Sequence, residues 1–147
     1  MIDVSLISAA ETIPLRHEVL RVGRPVETCI FPGDELSSTR HYGAFQEGQL
    51  VGVASFYDQP PPWDTTRQAL QLRGMAVRDT LQGLGVGSQL LEAALAEMAL
   101  QPELPRLVWC NARTRAVPFY LRHGFSVLGD EFEIAGVGPH FRMVRPF

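Results

Sequence analysis

The sequence contains no lysine, because all 13 of its basic residues are arginine. A Walker A nucleotide-binding loop needs a lysine on the phosphates, so a standard P-loop NTPase is excluded. Schiff-base chemistry, including that of a lysine-bound pyridoxal cofactor, is excluded for the same reason. The four histidines are scattered without an i, i+4 pair, and there is no CxxC motif. The sequence therefore shows no zinc-binding pattern, and we expect no bound metal.

Cysteine, excess charge and long apolar runs are also scarce. The two cysteines, Cys29 and Cys110, are too few for a secreted disulfide scaffold, which favours a cytoplasmic protein with reduced thiols. The formal net charge of −3 gives no reason to expect a nucleic-acid partner. The apolar runs are shorter than the ~18 residues that a membrane span needs, and the N-terminus lacks the pattern of a signal peptide. We therefore expect no membrane partner.

A chain of 147 residues fits one compact domain, which we expect to cover residues 1–147. Alternating apolar residues and turn signals predict seven strands, at Ile2–Ser8, Tyr42–Gln46, Leu50–Tyr57, Gln68–Val77, Arg106–Asn111, Phe125–Ile134 and His140–Val144. Apolar spacing of three and four predicts three helices, at Ala9–Arg21, Ser88–Leu100 and Ala116–His123. Hairpins and helical crossovers in one chain predict an α+β (mixed α/β) fold with a mixed six- or seven-stranded sheet and helices on both faces.

The segment with the clearest chemical meaning is Gln82–Ser88, which we call the glycine loop. It follows a strand and leads into the strongest predicted helix, whose first amides have no internal acceptor and lie at the positive end of the helix dipole. Glycines let such amides surround a phosphate, so the pattern predicts an anion site suited to a pyrophosphate. Two alternatives are a plain strand-to-helix turn and a Rossmann dinucleotide site. The Rossmann alternative would need an acidic residue after the next strand, where the chain has Cys110-Asn111.

Two motifs resemble those of the GNAT superfamily of N-acetyltransferases. Gln82-x-x-Gly85-x-Gly87 matches its (Gln/Arg)-x-x-Gly-x-(Gly/Ala) signature, and Phe119-Tyr120-x-x-x-Gly124-Phe125 is nearly as characteristic. The resemblance covers Gln71–Phe125 firmly and the whole chain more loosely. It implies the GNAT fold and an acetyl-CoA-dependent transferase, and relatives that dimerise make a homodimer conceivable by analogy.

The resemblance also implies which residues bind coenzyme A. The pantetheine arm would bond to the strand backbone, the pyrophosphate to the glycine loop, and Asn111 to the arm near the thioester. Phe119 and Tyr120 would line the thiol end of the channel. The implied cofactor-binding residues are Met75, Ala76, Val77, Gln82, Gly83, Leu84, Gly85, Val86, Gly87, Ser88, Asn111, Phe119 and Tyr120.

The implied reaction is direct attack of a primary amine on the thioester in a ternary complex. The resemblance makes Tyr120 the general acid for the leaving thiolate. The general base is less defined, because the strand position where some relatives carry Glu or His offers only Gln71 and Arg73. A water relay is one alternative, and the C-terminal hairpin offers others in Glu131, Glu133 and His140. Glu131 and Glu133 share one face of their strand and could instead attract a cationic amine.

Three functional alternatives stay open from the sequence. The first is an N-acetyltransferase acting on a small-molecule amine, and the second is one acting on a peptide or protein amine. The third is a non-catalytic acyl-CoA-binding or sensor protein with the same fold. In this family the N-terminal region, which here includes Arg16, Arg21 and Phe31, shapes the acceptor site, so the loop motif does not identify the acceptor.

Overall fold

The computed structural model describes all 147 residues. The seven strands are β1 (Ile2–Ile7), β2 (Arg40–Gln46), β3 (Gln49–Asp58), β4 (Leu70–Val77), β5 (Leu107–Arg113), β6 (Ser126–Ile134) and β7 (Gly138–Pro146). The three α-helices are α1 (Ala9–Leu15), α2 (Val86–Ala99) and α3 (Val117–Arg122). The strands form one sheet in the order β1-β2-β3-β4-β5-β7-β6. Strands β4 and β5 run parallel, whereas β1 with β2 and β5 with β7 run antiparallel, which confirms the predicted mixed sheet.

The chain forms two compact units. The first unit comprises Met1–Tyr57 and Leu72–Pro102, and the second comprises Asp58–Gln71 and Glu103–Phe147. No helix in either unit combines the length and the apolar character that crossing a membrane requires. A single domain over residues 1–147 stays a prediction.

The first unit begins with β1 and a short helix whose start is encoded locally. Ser8 Oγ accepts a hydrogen bond from the Glu11 amide at 3.2 Å, and Glu11 Oε1 accepts one from the Ser8 amide at 2.9 Å. This reciprocal pair is a capping box. The predicted helix over Ala9–Arg21 continues as a wider π-helical turn at Arg16–Leu20. Pro14 lies inside α1 and has no amide hydrogen to donate, which weakens the regular helical ladder before this turn.

A tight hairpin and a long helix complete the first unit. Strands β2 and β3 meet at Glu47 and Gly48, whose φ angles are 50° and 78°, as a two-residue type I′ turn requires. Helix α2 begins at Val86, two residues before the predicted start. Its buried residues recur at helical spacing and form one apolar face, consisting of Val86, Leu90, Leu91, Ala94, Leu95 and Met98.

The second unit consists of β5, α3 and the β6–β7 hairpin, with the first residues of β4. Strand β5 pairs with β7 along its whole length, and Leu70 and Gln71 of β4 pair in parallel with Val108 and Trp109. Helix α3 ends before Gly124, whose φ of 82° gives the left-handed conformation that commonly stops a helix. A small core forms around three buried residues, with Trp63 and Val144 packed against it: Ala69, Leu107 and Trp109.

Candidate functional site

The glycine loop owes its shape to left-handed backbone conformations. Gly83 and Gly85 have φ angles of 80° and 87°, a region that L side chains rarely adopt. A Cβ built at either position would meet no atom within 4 Å. The glycines are therefore required by conformation and not by crowding, and Gln82–Gly85 present an exposed, uncrowded backbone.

The start of helix α2 has no side-chain cap. Gly85 is the N-cap residue, so it has no side chain to accept a hydrogen bond from the first-turn amides. The first turn also holds no acidic residue that would offset the positive end of the helix dipole. Since α2 begins at Val86, residues Val86–Ser88 belong to that first turn. The arrangement suits an anion bound against backbone amides.

The Gln82 side chain ties the glycine loop to the end of β4. Its Nε2 donates to the Val77 carbonyl and to Asp79 Oδ1, each at 3.0 Å. In this structure the side chain of the signature's first residue therefore makes internal contacts. The loop and the end of the strand are connected through one side chain.

Strand β4 is distorted at Gly74, next to the segment predicted to hold the pantetheine arm. Gly74 has a φ of 63°, and a Cβ there would lie 2.9 Å from Phe31 Cε2 and 3.2 Å from Arg16 Nε. Glycine at this position therefore allows Phe31 and Arg16 to approach the strand backbone closely. Two residues further along the strand, Ala76 is buried in a small core that includes Leu15.

In the second unit, Asn111 carries a buried polar atom without a partner. Its Oδ1 makes no hydrogen bond in the structure. Buried acceptors are nearly always satisfied, and an orphaned one costs free energy. An amide donor from a bound ligand would remove that cost, so the residue suits the arm-binding role implied by the sequence.

Tyr120 lies on α3 among other aromatic rings of the second unit. Its ring centroid is 5.2 Å from that of Phe119 and 5.2 Å from that of Phe125. Burial of the phenol raises the pKa of Tyr120 well above its usual value, and the Cys110 thiol adds to the increase. The phenol is thus protonated at neutral pH. Burial also raises the pKa of Cys110 to about 12, which argues against a thiolate nucleophile.

The acid–base residues predicted on the C-terminal hairpin differ from one another in burial and in hydrogen-bond partners. His140 is buried, and its Nδ1 donates to the Gly138 carbonyl at 2.7 Å, so Nε2 is the ring nitrogen left without that contact. Glu133 is exposed and lies opposite Pro139 in the β6–β7 register. Glu131 Oε2 accepts a hydrogen bond from Thr114 Oγ1 at 2.7 Å, so that carboxylate has a structural partner.

Sequence reasoning missed a buried polar cluster in the first unit, which we call the Arg16 cluster: Arg16, Asp34, His41, Ser55 and Tyr57. Arg16 is fully buried and donates to Asp34 Oδ2 at 2.6 Å and to Asp34 Oδ1 at 3.1 Å. The same guanidinium donates to Ser55 Oγ and Tyr57 OH, each at 3.0 Å. His41 Nε2 donates to the Asp34 carbonyl at 2.9 Å. The partners come from positions up to 41 residues apart, so no local pattern could have indicated them.

Hydrogen bonds within this cluster shift the pKa values of its acidic groups. Burial alone would raise the pKa of Asp34, but hydrogen bonds from Arg16, Tyr57 and the Phe31 amide outweigh it and hold the pKa below its ordinary value. Burial and the hydrogen bond to Asp34 raise the pKa of Tyr57 to about 12. The carboxylate is therefore ionised and the phenol neutral at physiological pH.

Comparison with known proteins places the chain among acetyltransferases. The family model described as "Acetyltransferase (GNAT) domain" matches residues 33–145. An uncharacterised N-acetyltransferase of Bacillus subtilis, YitI, is 36% identical over 148 residues, which cover 99% of this chain and 96% of that protein.

Two solved structures show the same fold at low sequence identity. The crystal structure of Escherichia coli ElaA has a TM-score of 0.76 at 23% identity, covering 99% of both chains. A GNAT family acetyltransferase from Elizabethkingia anophelis, crystallised with acetyl-CoA bound, has a TM-score of 0.68 at 16% identity, covering 99% of this chain and 98% of that one. The chain therefore belongs to the GNAT family of acetyltransferases and is an acyltransferase enzyme.

Proposed function

We propose that this enzyme transfers an acetyl group from acetyl-CoA to a primary amine of a small molecule or peptide. The observation that carries the proposal is the glycine loop, where exposed backbone precedes a helix start without a side-chain cap or an acidic residue. Such a start binds a pyrophosphate through its amides. Bound acetyl-CoA would supply an activated thioester carbonyl.

The residues proposed to hold the cofactor fall into two sets. In the first unit, the backbone of Met75–Val77 would bond to the pantetheine arm and that of Gln82–Ser88 to the pyrophosphate. In the second unit, the unpartnered Oδ1 of Asn111 would accept a hydrogen bond from the arm, and Phe119 would line the thiol end. The orphaned acceptor and the uncapped helix both fit a ligand that carries amides and phosphates.

The proposed chemistry forms one bond and breaks another. The amine nitrogen bonds to the carbonyl carbon, an amide of Met75 or Val77 stabilises the oxyanion, and the carbon–sulfur bond then breaks. Tyr120 donates a proton to the leaving sulfur, and its phenol carries that proton at neutral pH. His140 Nε2 is the proposed acceptor of the amine proton, since Nδ1 already donates to a carbonyl. Glu133 is the alternative base, or a binding group for a cationic amine.

Calorimetry with acetyl-CoA tests the cofactor, with the melting temperature followed in parallel. Saturable binding should raise the melting temperature, and ligand at 100 times its Kd should stabilise the fold by about 2.7 kcal/mol. Absence of binding would overturn the proposal, because the glycine loop would then be only a turn.

The Tyr120→Phe variant tests the chemistry separately from binding. Loss of a general acid typically lowers kcat by roughly 10²–10⁴-fold. The variant keeps the ring, so the Kd for acetyl-CoA should stay close to that of the wild type. An unchanged kcat would remove Tyr120 from the mechanism while leaving cofactor binding intact. A homodimer and a cytoplasmic location stay predictions.

A further inference from the structure

Three guanidinium groups surround one aromatic ring in the first unit. The Cζ atoms of Arg16, Arg73 and Arg21 lie 4.0, 4.9 and 5.6 Å from the centroid of the Phe31 ring. Cations are attracted to a ring face, yet three of them around one ring repel each other. The arrangement therefore calls for negative charge nearby.

Only one of the three arginines has a negatively charged partner. Asp34 pairs with Arg16, while the side chains of Arg21 and Arg73 make no hydrogen bond or ion pair in the structure. Both of these side chains are partly exposed, whereas Arg16 is fully buried. Two cations with unused N–H donors are thus accessible from solvent, and the group as a whole carries excess positive charge.

The Arg16 cluster fixes the surface against which Arg73 lies. The Phe31 amide donates to Asp34 Oδ2 at 2.8 Å, and Tyr57 OH donates to Asp34 Oδ1 at 2.5 Å. The Arg73 guanidinium lies over the Phe31 ring and also over the Tyr57 ring, whose centroid is 5.7 Å from its Cζ. Stacking uses the faces of a guanidinium and leaves its edge free, and that edge matches the two oxygens of a carboxylate.

The position along β4 places these arginines away from the glycine loop. Phe31 and the unpartnered Nε of Arg16 pack against the backbone at Gly74. The glycine loop begins at Gln82, beyond the C-terminal end of β4. With a rise of about 3.3 Å per strand residue, the segment proposed to bind the arm lies between the two. The arginines are therefore at the acyl end of the proposed cofactor site and not at its phosphate end.

We infer that Arg21 and Arg73 bind a carboxylate of the acceptor, so that the enzyme acetylates small amines that also carry a carboxylate group. The inference rests on the proposed function, because it needs the acetyl group beside Gly74. A carboxylate held there would reduce the excess positive charge and orient the amine toward the thioester.

Matched acceptor pairs test this substrate class with the complete enzyme. Glycine, 3-aminopropanoate and 5-aminopentanoate are compared with their carboxamides, and 1,4-diaminobutane serves as a cationic amine. Release of the coenzyme A thiol reports turnover. We expect kcat/KM for at least one carboxylate to exceed that of its carboxamide by about tenfold or more, as charge-assisted hydrogen bonds imply. Preference for the carboxamides or the diamine would overturn the inference.

Arginine variants assign the preference to these residues. Arg73→Gln and Arg21→Gln should each raise KM for the carboxylate about tenfold and leave KM for the carboxamide unchanged. Arg24→Gln is the matched control, because Arg24 is exposed, lies in the same segment and has no side-chain partner. An equal effect of the control variant would show a general charge effect and contradict the assignment.

Binding measurements keep the inference falsifiable if none of these amines is acetylated. The same carboxylates are titrated by calorimetry into the complex with coenzyme A. Saturable binding that Arg73→Gln weakens and Arg24→Gln does not would support the inference. Normal acetyl-CoA binding without any carboxylate binding would overturn the inference but not the proposed function. Failure to bind acetyl-CoA would instead overturn the proposed function itself.

Discussion

The glycine loop and the Arg16 cluster differ in how they are built. The loop consists of consecutive residues, of which Gln82–Gly85 are exposed, and its shape follows from φ angles at Gly83 and Gly85. The cluster consists of side chains from four separate segments, buried and joined by hydrogen bonds. One region is open and encoded locally, and the other is closed and assembled from distant positions.

This difference separates two ways of holding charge. A loop with uncapped amides leaves its donors available for a ligand anion. In the cluster, the Asp34 carboxylate accepts hydrogen bonds from the Phe31 amide and the Tyr57 hydroxyl. These two bonds hold Phe31 and Tyr57 in position. We therefore expect substitutions in the cluster to affect stability most and substitutions in the loop to affect cofactor affinity most.

Asp34→Asn should give the largest effect. The change leaves the buried Arg16 without a counterion, and breaking a buried ion pair typically lowers the free energy of unfolding by about 3–5 kcal/mol. Urea denaturation measures it. Glu97→Gln is the control, because its pair with Arg40 is partly exposed and should cost about 1 kcal/mol or less. Equal losses in the two variants would remove the distinction between the closed cluster and an ordinary surface pair.

The same carboxylate should make stability depend on acid pH. The pKa of folded Asp34 is held below its ordinary value of about 3.9, so its contribution is complete above that value and is lost as pH falls through the folded pKa. Below about pH 4, the wild type should lose up to about 1.4 kcal/mol more per pH unit than Asp34→Asn. Denaturation at several pH values measures the slopes, and parallel curves would contradict the expectation.

Gly85→Ala should affect cofactor binding more than folding. A Cβ at a φ of 87° meets no atom but strains the backbone by about 1–3 kcal/mol, so the loop should shift and the Kd for acetyl-CoA should rise about tenfold. Gly48→Ala is the matched control, with a φ of 78° and open space around its Cβ. It should lower stability by a similar amount without changing the Kd. A raised Kd in both variants would mean that general destabilisation explains the loss.

Gln82→Ala should give the smallest effect. It removes two exposed hydrogen bonds that tie the glycine loop to β4, each contributing about 0.5–1 kcal/mol at most. The Kd for acetyl-CoA should therefore rise about threefold in calorimetry. Gln68→Ala is the control, since Gln68 is exposed and has no side-chain partner. A large loss of affinity would indicate a direct contact between the Gln82 side chain and the cofactor.

Local patterns predicted the elements well and their ends less well. Helix α2 was expected from Ser88 and begins at Val86, because the buried Val86 side chain anchors a first turn that already contains Gly87. The predicted N-terminal helix changes to a π-turn at Arg16, next to Pro14 and within the reach of Asp34. Helix ends depend on tertiary contacts that propensity alone does not report.

The sequence by itself determined the family, the mixed sheet and the glycine loop, because each depends on spacings of a few residues. Only the tertiary structure decided that Arg16 has Asp34 as its counterion, and that Arg21 and Arg73 face the same Phe31 ring without one. Those contacts join segments far apart in the chain, and their energies depend on burial. Burial and counterions are properties of the packed molecule, which is why the acceptor-binding hypothesis could arise only from the fold.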